Sequence, residues 1–138
     1  MKPAKLSERT GPPQSIEIDD IDKITDALNV MIDNKDVDVI ITTGGTGLTK
    51  RDVTPEAFHL VIDKCIPGFG ELFRMLSYKK IGTSTIQSRA MAGVSRGKLL
   101  FALPGSPGAV KDGWDDILKN QLNSNHKPCN FVDIISRI

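Results

Sequence analysis

A short apolar run that ends in a glycine-rich segment constrains the fold of this chain more than any other feature. Val37 and residues 39–41 form a nearly continuous stretch of β-branched side chains, and TTGGTG follows directly. Such a stretch is typical of a strand that is covered on both faces, as in the middle of a parallel sheet. We therefore predict a central parallel strand here, with a tight turn at its carboxyl end.

Upstream of this strand the sequence changes from polar to periodic. Residues 1–15 are rich in Pro, Lys and Ser, which predicts a flexible lead-in. Residues 16–138 are then expected to form a single domain, since 138 residues is a usual domain length. Apolar residues at three- and four-residue spacing predict a helix over residues 21–32, which either Asp19 or Asp20 can cap.

Two further helices are predicted after the glycine turn. Thr54 supplies an N-cap and Pro55 a suitable first residue for a helix whose apolar positions continue to Cys65. The Pro-Gly pair at residues 67–68 predicts a break in this helix. Another short helical segment is expected over residues 70–78.

The last third of the chain predicts a strand pair and a long helix. Residues 91–94 and 99–103 fit two strands that a tight turn joins. Ser106 can cap a final long helix, whose buried face would include Trp114 and Leu118. This order of elements predicts an α/β domain of three layers, in which helices cover both faces of a mostly parallel sheet.

The glycine turn after the first strand is the first candidate site. Its glycines let the backbone turn sharply and bring N–H groups to a ligand, and its threonines add hydroxyl groups. The combination suits phosphate or pterin recognition, although a plain tight turn explains it equally well. The spacing fits neither the P-loop nor the dinucleotide-binding fingerprint. The candidate ligand-binding residues here are Thr43, Gly44, Gly45, Thr46 and Gly47.

Asp52 lies between this turn and the second predicted helix, whose positive end favours negative charge nearby. A carboxylate beside a phosphate site can hold Mg²⁺, which prefers oxygen ligands and shares them with substrate phosphates. The other interpretation is that Asp52 only caps the loop or forms a salt bridge. Glu56, in the first turn of the helix, is a further candidate for ligand binding.

A second strand end, LPGSPG, repeats the arrangement, with Pro104, Gly105 and Ser106 as its candidate residues. Two such turns in a parallel α/β sheet can lie side by side and form one pocket. Ser106 can equally be a plain N-cap. Between the two turns, Ser88 offers a hydroxyl group and Arg89 a guanidinium that could clamp a phosphate, unless this segment is a solvated loop or a subunit contact.

Composition argues against several other functions. A net charge of +1 is unlike that of a non-specific nucleic-acid binder, and no apolar run reaches the roughly 18 residues of a membrane span. A signal peptide is not visible, so a cytoplasmic location is expected. Cys65 and Cys129 lack the spacing of a zinc site or redox motif. Because no nucleophile has a recognisable partner base, electrostatic positioning of phosphates, as in phosphoryl or nucleotidyl transfer, is the catalytic style that the residues favour.

Three long segments resemble the MoaB and MogA family of molybdenum cofactor biosynthesis proteins. They are TTGGTGLTKRDVTPEA, PGFGELFRMLSYKKIGTSTIQSRAMAGV and LFALPGSPGAV. The likeness covers about residues 16–131, and GFGELFRMLSY and KPCNF are more similar to the MoaB branch. The N-terminal domain of gephyrin is a more distant relative.

The resemblance implies the molybdopterin-binding fold of MogA and an enzyme that adenylylates molybdopterin with ATP and Mg²⁺, releasing pyrophosphate. Asp52 would be the essential aspartate and Mg²⁺ ligand, Asp19 the second functional acid, and the two glycine turns would bind pterin phosphate and nucleotide. Relatives form homotrimers or homohexamers, and the molybdenum insertase is a further partner that the resemblance implies. A non-catalytic molybdopterin-binding or scaffold protein of the same family is the alternative.

The sequence departs from the family at its beginning. Relatives open with an apolar strand that ends in a Ser-Asp motif, whereas only fifteen polar residues precede Ile16. That N-terminal strand is therefore expected to be missing, which would expose a sheet edge and remove part of the nucleotide site. The acid-bearing segment also reads IEIDD, without the proline that relatives have before the aspartate.

Overall fold

A computed structural model describes residues 19–138, so the predicted lead-in at residues 1–15 and the predicted start at residue 16 lie outside the described residues. Asp20 caps the first helix, because its Oδ1 accepts a hydrogen bond from the Lys23 N–H at 3.1 Å. The strands are β1 Val39–Thr43, β2 Lys64–Cys65, β3 Met91–Ser95 and β4 Lys98–Leu103. The helices are α1 Ile21–Ile32, α2 Thr54–Val61, α3 Pro67–Ile81, α4 Pro107–Gly113, α5 Lys119–Gln121 and α6 Phe131–Ile134, with 3₁₀ turns at Gly82–Gln87 and Ile135–Arg137 and a π turn at Trp114–Leu118.

The strands form one sheet in the order β1-β4-β3-β2. β1 runs parallel to β4, from Val39 opposite Leu99 to Thr43 opposite Leu103, and the β3–β4 and β2–β3 pairs are antiparallel. The sheet of the described residues is therefore mixed, not mostly parallel as predicted. The cause is the two-residue turn between β3 and β4, where Arg96 and Gly97 both have positive φ, at 46° and 81°, the backbone of a tight hairpin.

The α/β class with helices on both faces of the sheet is confirmed. On β4, one set of alternate side chains packs against α3 and the last helical segment, and the set between them packs against α1 and α2. The first set is Leu99, Phe101 and Leu103; the second is Leu100 and Ala102. Phe101 is fully buried, with its ring centroid 5.2 Å from that of Phe69. Two cores therefore hold β4 from opposite sides.

The prediction that β1 is a central strand, covered on both faces, is wrong for the described residues. Within them β1 pairs with β4 alone and so forms one edge of the sheet. Ile40 is 3% exposed against α1 and α2, whereas Ile41, on the opposite face, is 42% exposed. A run of β-branched residues predicts that a segment forms a strand. It does not predict how many strands pair with it, because that depends on the rest of the sheet.

The predicted extension of α2 to Cys65 and the break at Pro67 are also wrong. α2 ends at Val61, because Ile62 is extended and the chain then pairs with β3. The Ile66 N–H donates to the Ala92 carbonyl at 2.9 Å, which completes this pairing. Pro67 then opens α3, where the missing proline N–H costs no hydrogen bond.

The last helical segment runs from Pro107 to Gln121, but not as one regular helix. A π turn at Trp114–Leu118 adds a residue to one helical turn and so changes which side chains face the sheet. Leu118 is buried as predicted, and Ile117 beside it is buried too, whereas Trp114 is 45% exposed, which corrects the prediction that Trp114 is buried. None of the helices within residues 19–138 is long and apolar enough to cross a membrane.

Candidate functional site

The two predicted turns lie against each other at the carboxyl ends of β1 and β4. The Gly44 N–H donates to the Leu103 carbonyl at 2.9 Å, which extends the parallel ladder into the first turn. A Cβ atom built on Gly105 would lie 3.3 Å from the Gly44 Cα. The backbone of the first turn therefore contacts the backbone of the second, and both turns lie at the same edge of the sheet.

The start of α2 holds the first turn in place. The Thr54 hydroxyl donates to the Gly44 carbonyl and the Thr54 N–H to the Gly45 carbonyl, both at 3.1 Å. The structure thus makes Thr54 the first helical residue, and its hydroxyl fixes the turn instead of capping the helix as predicted. Gly44 and Gly45 have φ of 93° and 71°, a region that glycine adopts without strain.

Asp52 closes the loop that follows the turn. Its Oδ2 accepts hydrogen bonds from the Thr49 N–H at 2.9 Å and from the Thr49 hydroxyl at 2.8 Å. These two bonds lower the pKa of Asp52 below its usual range, and the nearby Arg89 lowers it further. A Cβ atom on Gly47 would lie 2.7 Å from the same Oδ2, so the carboxylate packs directly on the glycine backbone. Asp52 is therefore ionised at neutral pH and does cap its own loop.

The guanidinium of Arg89 bonds to three oxygen atoms of the protein. Its Nε donates to the Gly47 carbonyl and its Nη2 to the Asp52 carbonyl, both at 2.7 Å, and its Nη1 donates to the Glu56 Oε1 at 2.5 Å. The Arg89 N–H donates to the Thr46 carbonyl at 2.8 Å. Three of the five guanidinium N–H donors are thus engaged with protein oxygens in this conformation, and the predicted phosphate clamp stays a prediction. The hydrogen bond from Arg89 to Glu56 lowers the pKa of Glu56 below its usual range.

The second predicted acid is tied to the same loop. The Nε and Nη2 of Arg51 both lie 2.9 Å from the Asp19 Oδ2. Arg51 is 84% exposed and Asp19 37% exposed, so this ion pair adds little stability. It does bring Asp19 beside the residue that precedes Asp52.

The second turn is open to solvent on its outer side. Gly105 and Ser106 are exposed, and Pro104 is half-buried. The Ser106 hydroxyl accepts a hydrogen bond from the Ala109 N–H at 3.3 Å, so the predicted N-cap is confirmed. Ser106 can still present its backbone N–H to a ligand while its side chain caps the helix.

Three of the predicted ligand-binding residues border a separate cavity. Ser88, Arg89 and Glu56 line a cavity of about 450 Å³ between α2, β2 and α3, and neither glycine turn contributes to it. The Arg89–Glu56 pair forms the wall between this cavity and the Asp52 loop. Sequence reasoning missed Thr49 and Thr54 as the residues that order the loop; the signal was a hydroxyl residue three positions before Asp52 and another directly before the proline of α2.

The described residues contain no cluster of three or more His, Cys, Asp or Glu side chains that could enclose a metal ion. Cys65 and Cys129 are both free and exposed. A metal at the loop would therefore be held by one or two carboxylates and a ligand, which is the usual arrangement for Mg²⁺ with phosphates.

Comparison with known proteins gives consistent matches. A family described as "Probable molybdopterin binding domain" matches residues 5–124. Molybdenum cofactor biosynthesis protein B of Escherichia coli K12 is 50% identical over 104 residues, which cover 75% of this chain and 61% of that protein. The chain thus spans less than two thirds of the length of this curated relative.

Solved structures that resemble this chain are also proteins of molybdenum or tungsten cofactor synthesis. The tungsten cofactor synthesizing protein MoaB from Pyrococcus furiosus is 42% identical, with a TM-score of 0.67 over 74% of this chain and 65% of that one. The molybdopterin biosynthesis Mog protein from Mycobacterium ulcerans is 34% identical, with a TM-score of 0.71 over 83% of this chain and 69% of that one. The fold is therefore shared with both.

The first turn should not tolerate a side chain at Gly45. A Cβ atom there would lie 2.2 Å from the Thr54 Oγ1, at a φ of 71° that strains any other residue. Gly45→Ala is expected to lower the free energy of unfolding by about 1–3 kcal/mol, measured by urea denaturation. Gly68→Ala is the matched control, since a Cβ atom there meets nothing within 4 Å. Equal effects of the two substitutions would contradict the packing described for the turn.

The ionisation of Asp52 should depend on Thr49. Thr49→Val removes the hydroxyl donor but keeps the shape, so the pKa of Asp52 should rise toward its ordinary value of 3.8. A carboxyl pKa that is lower in the folded than in the unfolded state stabilises the fold at pH values above 3.8. Wild-type protein should therefore lose stability from Asp52 as the pH falls below 3.8, and Thr49→Val should lose less. Carboxyl ¹³C NMR titration measures the pKa, with Thr83→Val as control. An unchanged Asp52 pKa in Thr49→Val would refute the assignment.

Proposed function

The chain belongs to the molybdopterin-binding family that includes the MoaB and MogA proteins, and from this premise we propose that it acts in molybdenum cofactor biosynthesis as a molybdopterin adenylyltransferase. In the proposed reaction, a terminal phosphate oxygen of molybdopterin attacks the α-phosphorus of ATP. The new P–O bond gives adenylylated molybdopterin, and the bond to the β-phosphate breaks to release pyrophosphate.

The observation that carries this proposal is the contact between the two glycine turns beside the ionised Asp52. Reactions of phosphates need little covalent chemistry from the protein and depend mainly on positioning and charge stabilisation. Backbone N–H groups at the ends of β1 and β4 would bind phosphate oxygens. The ligand-binding residues of the proposal are Thr43, Gly44, Gly45, Thr46, Gly47, Pro104, Gly105 and Ser106.

Asp52 would hold Mg²⁺, with Asp19 as the second acid. The donor set suits this ion, because Mg²⁺ takes oxygen ligands and commonly needs only one or two carboxylates besides the phosphates. The lowered pKa of Asp52 keeps its carboxylate charged at neutral pH. When bound, Mg²⁺ neutralises phosphate charge as the pyrophosphate leaves.

A second candidate is a molybdopterin-binding carrier or scaffold without catalysis. The position of β1 at the sheet edge within residues 19–138 favours it, since Ile41 is 42% exposed next to the first turn and a nucleotide site there would be open on one side. Calorimetry separates the two: molybdopterin binding without ATP binding supports the carrier, whereas ATP turnover eliminates it.

Asp52→Asn tests the catalytic proposal. Pyrophosphate release from ATP, Mg²⁺ and molybdopterin should fall by at least ~100-fold, because the neutral amide cannot hold the metal ion or balance its charge. Asp26→Asn is the control, since Asp26 is an exposed acid on α1 that should leave turnover unchanged. Unchanged pyrophosphate release in Asp52→Asn would reject the role of Asp52, and no pyrophosphate release from wild-type protein would reject the adenylyltransferase assignment.

We further propose that the chain forms a homotrimer or homohexamer. An exposed apolar row on α3 and the following 3₁₀ turn supports self-association, because monomers seldom expose such a row to water. Its members are Leu72, Met75, Tyr78, Ile81 and Ile86, which are 39% to 78% exposed.

Light scattering tests the oligomer. Wild-type protein should show three or six times the chain mass of 15.1 kDa, and Met75→Glu should lower that mass by placing a charge in the apolar row. Val30→Glu is the control, because Val30 is 59% exposed on α1, away from the row. A monomeric wild-type protein would contradict the proposal.

A further inference from the structure

The loop that carries Asp52 has few contacts of its own. Four consecutive residues at positions 48–51 are exposed, and Leu48 is 67% exposed despite being apolar. Within the loop, the backbone is closed by the Asp52 N–H, which donates to the Thr49 carbonyl at 3.1 Å. A loop with so little buried surface needs an external anchor to keep one conformation.

Arg89 reaches both ends of this loop. Its own N–H and its Nε bond to the carbonyls of Thr46 and Gly47 at the first end, and its Nη2 bonds to the carbonyl of Asp52 at the second. One planar group therefore fixes the distance between the start of the loop and the residue that carries the carboxylate. Lysine could not do so, since its ammonium group is a single point without the fork of fixed donors.

Glu56 sets the orientation of the guanidinium. It lies in the first turn of α2 and accepts from the third Arg89 nitrogen at 2.5 Å. The two side chains are 31% and 44% exposed, so solvent screens the pair and its main effect is geometric. Thr54, at the start of α2, also holds Gly44 and Gly45. The first turn of α2 therefore positions both the glycine turn and the Arg89 guanidinium.

We propose that Arg89, oriented by Glu56, is a positioning residue that holds the Asp52 loop in its active geometry and does not bind the substrate phosphate itself. The consequence for activity rests on the proposed function of Asp52. The consequence for loop order does not, and can be measured on the protein without any ligand.

Hydrogen–deuterium exchange of the loop amides in the full chain is the primary test. Arg89→Met and Arg89→Lys should both speed exchange over residues 46–54 by at least ~10-fold, and Glu56→Gln should have a smaller effect in the same segment. Arg96→Lys is the matched control: the Arg96 Nη2 donates to the Asn29 Oδ1 at 2.9 Å, and Arg96 lies in the hairpin between β3 and β4, at the opposite end of β4 from the glycine turns. If Arg89→Met fails to fold, Arg89→Lys and Glu56→Gln still decide the question. Wild-type exchange in Arg89→Lys would overturn the proposal.

Kinetics of pyrophosphate release provide a second readout. A positioning role predicts that kcat falls ~10-fold or more in Arg89→Lys, while the KM for molybdopterin changes less than about twofold. A rise in that KM with unchanged kcat would instead make Arg89 a phosphate ligand and overturn the proposal. If wild-type protein releases no pyrophosphate, the proposed function fails, but faster loop exchange in the Arg89 variants would still support the anchor.

Discussion

The parallel pairing of β1 with β4 is the interaction on which the site depends. Their register continues from Thr43 opposite Leu103 to the hydrogen bond between the Gly44 N–H and the Leu103 carbonyl. This register is fixed from both sides, because alternate residues of β4 enter two different cores. A slip of one residue would turn Leu103 out of its core and separate the turns. The contact between the two turns is thus a consequence of how the core packs.

Around these turns, most of the hydrogen bonds that order the site are accepted by backbone carbonyls and not by side chains. Thr54 bonds to one carbonyl of the first turn, and Arg89 bonds to three carbonyls at the two ends of the Asp52 loop. Asp52 itself is held by Thr49 and packs against Gly47. Glycine and threonine are suited to these positions because they let the backbone approach closely and supply short hydroxyl donors. The Asp52 carboxylate is therefore oriented by the neutral Thr49 and Gly47, with the cationic Arg89 nearby.

The sequence predicted those helices, strands and caps that depend on residues close together in the chain. The helix at Ile21–Ile32, the N-cap at Ser106 and the two strands around Arg96–Gly97 are all confirmed, since each depends on residues close in sequence. The end of α2 and the exposure of Trp114 were predicted wrongly, because pairing with β3 and a π turn override the apolar spacing. Within residues 19–138, the edge position of β1 and the hydrogen bonds of Arg89 depend on residues far away in the chain, and no sequence spacing reports such partners. The roles of Asp52, Asp19 and the two turns in ligand binding remain predictions.

Backbone NMR during titration with molybdopterin tests the central claim, that the two turns form a single phosphate site beside Asp52. The largest saturable amide shifts should fall on residues 44–47 and 105–106, with smaller shifts at Thr49 and Asp52. The hairpin turn at Arg96 and Gly97, at the opposite end of β4, should not move. Saturable shifts centred on that hairpin or confined to one of the two turns would contradict the account.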